Sequence, residues 1–213
     1  MVSDTYDSAS GQSSLWRVLV VLAVWAGIVI VLALNGFYEA SPGEPPIRLL
    51  GAMVLTLTVF GLAYRGLPVF RSWVLGLDMR LLILLHSWRV LGLSFLFLYA
   101  FDHLPAAFAF SAGIGDALTG YGATLLAWYV LTRPDRVETR WIAWWNTFGL
   151  LDFIAAVSLA LLSRQGAPLD VGNGITADVM TQLPMVLVPA FLVQVFVLIH
   201  LTIFLQLRNG RRP

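Results

Sequence analysis

The chain has 213 residues, of which 59% are hydrophobic and only 12% charged, with a formal net charge of +1 and a mean hydropathy of +0.82. A water-soluble domain carries about 25% charged residues, so most of this surface faces something other than water, which excludes a soluble enzyme, a disordered chain and a nucleic-acid binder with a basic face. There is no cysteine, and all 13 basic residues are arginine, which removes disulfides, thiolate chemistry, Fe–S clusters, cysteine-based zinc sites and any lysine Schiff base.

Residues 1–14 carry Asp4 and Asp7 instead of the basic stretch of a cleaved signal, and read as a cytoplasmic tail. A helix needs about 20 mainly apolar residues to cross ~30 Å of hydrocarbon. Residues 15–207 hold six such stretches, 15–36, 47–64, 81–101, 104–131, 141–162 and 184–207, and residues 208–213 form a second cytoplasmic tail. Arg48, at the start of the short second stretch, is placed to snorkel. With six spans both termini share one side. Arg17, Arg65, Arg71, Arg80, Arg133, Arg136, Arg140, Arg208, Arg211 and Arg212 then lie on that side, and only Arg48 and Arg164 lie opposite. Arginine excess marks the cytoplasmic face, so both ends are expected inside, in the inner membrane of a bacterium. Trp16, Trp73, Trp128, Trp141, Trp144 and Trp145 fall near the same interface.

Between the second and third spans, residues 67–80 place Phe70, Trp73, Val74 and Leu77 at helical spacing, with Arg71, Ser72 and Asp78 opposite. That pattern predicts an amphipathic helix lying in the inner interface. The loops at 38–46 and 163–181 are rich in Pro, Gly, Asp and Asn and read as turns.

Ionisable groups at membrane depth are costly and normally face the bundle interior. In the third span His86 and Arg89 lie about 9 and 13 Å from Arg80 along the helix. They share a face that Gly92 continues. In the fifth, Asn146 and Asp152 lie about 9 and 18 Å from Arg140, with Gly149 between them to admit a neighbouring helix. In the sixth, His200 lies about 12 Å from Arg208. His86, Arg89, Asn146 and His200 therefore occupy one layer, with Asp152 just beyond it. Three readings follow. The groups form a structural network that selects helix neighbours. Or they form a small-solute or proton-linked pathway, in which Asp152 and the histidines carry protons while Arg89 binds an anion or tunes Asp152. Or His86 and His200 are the axial ligands of a b-type haem, with Arg89 on a propionate.

In the fourth span Gly113, Asp116, Gly120, Ala123 and Ala127 fall at steps of three and four. This small-residue seam suits a second copy or another membrane protein. Asp116 is expected in the outer half, about 25 Å from Arg133, as one of an outer-face polar set with Asp102 and His103. That set is too weak a pattern to assign a metal. Asp102 is expected near a helix N-cap with Pro105 in the first turn, and Pro189 is expected to kink the sixth span.

Gly113-Ile-Gly115-Asp116 resembles the motif of intramembrane aspartyl proteases over about eight residues. Aspartyl catalysis needs two carboxylates sharing a proton, and the upstream candidates, Asp78 and Asp102, are badly placed, so the likeness reads as coincidental. Other catalytic signatures are missing, which leaves no positive case for an enzyme. A broader pattern runs from Arg89-x-x-Gly92-x-x-Phe95-Leu96 through Leu104-Pro105-x-x-Phe108-Ala109 and Gly113-x-Gly115-Asp116. It continues in Trp145-Asn146-x-x-Gly149-x-x-Asp152-Phe153 and Leu183-Pro184, and ends with Pro189-x-Phe191 and His200. Over residues 80–205 it resembles a family of uncharacterised six-helix bacterial inner-membrane proteins, a likeness that implies an all-α transmembrane bundle and no particular activity. The alternatives that remain are a transporter, a haem protein, and a structural or assembly subunit.

Overall fold

The computed structural model describes residues 3–133 and 138–212, with side chains described from Trp16 onward except at residue 17. Arg136 and the side chains of Asp4, Asp7 and Arg17 lie outside the described residues. The helices are α1 (Ser3–Leu34), α2 (Ile47–Gly66), α3 (Pro68–Gly76), α4 (Met79–Ala100), α5 (Ala106–Thr132), α6 (Thr139–Leu162) and α7 (Val188–Arg208). A short 3-10 helix, Ala177–Thr181, lies in the loop before α7. Among the described residues there is no strand. Four helices, α2, α4, α6 and α7, are long and apolar enough to cross a membrane, and α1 adds a shorter apolar stretch, Val18–Leu34. Only 6% of the apolar window of α2 is buried, so that helix turns its side chains outward to an apolar surrounding. The chain is an all-helical membrane protein.

Several boundaries differ from the sequence expectation. Residues 3–14, expected as a tail, continue α1 as helix. The last helix begins at Val188, because residues 183–186 form tight turns and Val188–Leu192 forms a π turn around Pro189. Proline lacks the N–H that would reach back to Met185, and the Val188 N–H donates to that carbonyl instead, at 3.0 Å. At the fourth span Asp102 is not a cap. It lies in the left-handed region with φ 58°, and the residue flanking the helix is the extended Pro105, which makes no side-chain cap. Helix α3 starts as its sequence requires, since Leu67 is extended before a proline in the first helical turn.

Three apolar clusters hold the bundle. One, near the arginine-rich end, joins Met79, Leu82 and Ile83 of α4 to Ala123 and Ala127 of α5, Ile142 of α6 and Ile203 of α7. A second, toward the other end, joins Phe95, Leu104, Phe108, Ala109, Ala112 and Met180. The third seats α1 and α2 on α7 through Val29, Ala33, Leu49, Val186 and Ala190. In sequence, the polar residues of α4 to α7 fall between the members of the first two clusters, so they occupy a layer closed by apolar packing on both sides.

The fourth-span seam packs within the chain. Gly113, Asp116 and Gly120 turn inward onto α4. A Cβ at Gly113 would meet Leu96 and the Gly92 carbonyl, and one at Gly120 would lie 2.7 Å from the Val90 nitrogen. The seam is used within the chain because small residues let two helices approach closely.

Candidate functional site: a buried arginine between two carboxylates

The middle of α4 is not α-helical. Between Met79–Leu85 and Ser94–Ala100, residues His86–Leu93 form a 3-10 helix. Residues three apart eclipse one another in that geometry. His86, Arg89 and Gly92 therefore stand in a row, and they are the buried residues of the segment.

Arg89 is the centre. Its side chain is 1% exposed, and it lies between two acids. Nε donates to Asp116 Oδ1 at 2.7 Å, and Nη2 donates to Asp152 Oδ2 at 2.5 Å. Nη1 donates to the Gly149 carbonyl at 3.0 Å and meets His200 Nε2 at 3.1 Å. The guanidinium carbon lies 3.7 Å from the centre of the Phe153 ring, a close cation–π contact. Each of its three nitrogens has a partner.

His200 is fully buried and fixed by its two neighbours. Its Nδ1 lies 2.7 Å from Asn146 Oδ1, and Asn146 Nδ2 donates to the His200 carbonyl at 3.0 Å. An amide oxygen only accepts, so Nδ1 carries the hydrogen. Nε2 then offers a lone pair to Arg89, and the ring is a neutral tautomer. His86 stacks on this ring with centroids 3.9 Å apart and is enclosed by Trp145 and Phe196. It is fully buried, yet neither ring nitrogen has a hydrogen-bond partner among the described residues.

Glycines allow this density. A Cβ at Gly115 would overlap Asp152 Oδ1, and one at Gly149 would lie 2.6 Å from His200 Cε1. On the side away from the arginine-rich end, an apolar crevice of about 70 Å³ reaches Asp116. Phe108, Phe153 and Met180 line it, and Arg164 stands toward the loop end. Arg164 is itself buried and paired with Asp178 at 2.6 Å.

The structure thus brings together His86, Arg89, Asn146, Asp152 and His200 from three helices, and adds Asp116 from a fourth. Asp102 and His103 stay outside, exposed in the turn between α4 and α5. The outer-face set is therefore divided, with Asp116 belonging to the arginine. Among the described residues no group of three or more His, Asp or Glu has the geometry to hold a metal ion. The haem reading does not fit either. Axial ligation needs a macrocycle between two imidazoles with free nitrogens, whereas these rings lie against each other and both His200 nitrogens are engaged. The protease reading fails on similar grounds. Asp152 does face Asp116, but a guanidinium separates the two carboxylates, which cannot share a proton across a cation.

Outside the helices, Asp170 accepts the backbone N–H groups of Gly166 and Gly172, at 2.7 and 2.9 Å. These bonds hold its carboxyl below the usual range.

Residues 45–208 match a family model described as a domain of unknown function, DUF8737. No curated protein and no solved structure matches the chain. The matched region covers α2 to α7 and with them the whole arginine cluster, while α1 lies outside it.

Proposed function

The chain belongs to the DUF8737 family, and we propose that it is a proton-linked membrane transport module whose working part is the Arg89 cluster. The observation that carries this reading is a charge imbalance. One buried cation is paired with two carboxylates, which leaves one negative charge among apolar helices. An uncompensated charge at that depth is strongly unfavourable. A proton is the smallest species that neutralises it. Arg89 already donates to His200 Nε2, so that nitrogen is not free to take the proton, and Asp116, Asp152 and His86 are the groups left to hold it.

Size favours a proton over a larger solute. The crevice at Asp116 is about 70 Å³, room for water but well below the ~300 Å³ or more of a small-molecule site. Its lining runs from Asp116 to Arg164, away from the arginine-rich end. We place the cluster in a six-span bundle in the inner membrane of a bacterium, with both termini cytoplasmic and α3 lying in the inner interface. The arginine-rich end supports this orientation.

Purified protein in vesicles carrying a pH-sensitive dye tests the reading. An imposed pH gradient is expected to dissipate through the wild-type chain. Asp152→Asn and Arg89→Ala are expected to slow that flux at least tenfold while remaining in the membrane. Equal flux in all three proteins rejects the proposal. A second reading, a purely structural network, is favoured by the gap-free packing around Gly115 and Gly149. It predicts instead that both variants fail to accumulate in the membrane.

A further inference from the structure

The 3-10 stretch His86–Leu93 is eight residues long, whereas such runs seldom exceed three or four because their hydrogen bonds are poorer than those of an α-helix. Contacts outside the helix must therefore hold it, and they act on one row of side chains. His86 is stacked on His200. Arg89 is clamped by Asp116 of α5, by Asp152 and the Gly149 carbonyl of α6, and by His200 of α7. Gly92 lies against Asp116, whose atoms fill the space that a Cβ would take. In an α-helix the same row would fan out by about 60° every three residues, about 120° from His86 to Gly92, and one face could not meet all three partners. The clamped form also leaves both nitrogens of a fully buried histidine without a partner, an unfavourable state that the clamp maintains.

We propose that His86–Leu93 is a proton-operated switch, held as a 3-10 helix while Arg89 is gripped by both Asp116 and Asp152, and rewinding to α-helix when a proton neutralises either carboxylate. This rests on the proton-linked reading above and adds the moving part. Loss of one charged partner frees the guanidinium to leave the row, and Gly92 and His86 are then free to turn away from Asp116 and His200. Rewinding shortens the segment by about 0.5 Å per residue, about 4 Å in all, and rotates its two flanks against each other.

The absence of cysteine makes a distance measurement clean. Leu84 and Phe97 flank the segment and are 43% and 67% exposed, so spin labels on Leu84→Cys and Phe97→Cys disturb little. The full chain in lipid bilayers is expected to show a separation about 4 Å shorter in acid than in mild alkali. With Asp152→Asn or Asp116→Asn added, the short distance is expected at both pH values. An unchanged distance in the wild type across that pH range overturns the switch. So does an equal shortening of a control pair within α2, Val54→Cys with Leu62→Cys, because it marks general unfolding. Proton flux at a fixed distance removes the switch and leaves the transport reading. Shortening without flux removes the transport reading and keeps the switch.

Discussion

Arg89 shows how much one side chain organises. Four neighbours on α5, α6 and α7 converge on its guanidinium, and each of its three nitrogens has a named acceptor. The glycines opposite it are therefore as sensitive as the charges. Gly115→Ala forces a methyl group into Asp152 Oδ1 and is expected to destabilise the protein by about 1–3 kcal/mol, as overpacking does. Gly61→Ala meets nothing within 4 Å and is expected to leave stability unchanged or slightly raised, since alanine is the better helix former. Thermal unfolding of both variants in detergent checks the pair, and equal loss in the two rejects this account. At this scale the sequence was legible for His86, Arg89, Asn146, Asp152 and His200, because helical rise alone assigns depth. Asp116 was misplaced, since its partner on another helix cannot be seen from its own. A signal did exist: one intramembrane arginine and two intramembrane acids form an unequal set that invites a search for both partners.

Helix α3 is tied down at the level of elements. Gln206 of α7 is 1% exposed, and its Nε2 donates to the carbonyls of Val74 and Leu77, at 3.1 and 2.8 Å. These are the end of α3 and the residue just past it, whose carbonyls have no partner within the helix. Gln206→Ala leaves the buried Val74 carbonyl and the half-buried Leu77 carbonyl without this donor, at a cost of about 1–3 kcal/mol. The expected result is faster hydrogen exchange and proteolysis over residues 68–76 with the rest of the bundle unchanged; uniform exchange along the chain rejects it. The amphipathic spacing at Phe70, Trp73, Val74 and Leu77 made this helix legible in advance. The 3-10 stretch in α4 was not legible. Leu81 to Phe101 reads as an ordinary apolar helix, and only contacts with three other helices override that preference.

For the whole molecule, the same contacts fix which ends lie together. Gln206 bonds to α3, which joins α2 to α4, and Arg164 meets the Ser41 carbonyl at the opposite end. The proposed sidedness follows from the arginines. Val171, 76% exposed in the loop between α6 and α7, is expected to react as Val171→Cys with a membrane-impermeant maleimide applied to whole cells. Arg211→Cys is expected to react only after permeabilisation. The reverse pattern refutes the orientation.

Composition and periodicity by themselves determined that this chain is an all-helical membrane protein. They also determined which helices carry polar groups. Those properties depend on each segment's own length and hydropathy, and a segment carries them wherever it packs. Which seam closes on which helix, which carboxylate meets the arginine, and that α4 unwinds to meet them were decided only by the tertiary structure. These are properties of pairs of helices, and in an apolar surrounding a buried charge is satisfied by whichever opposite charge the packing brings within reach.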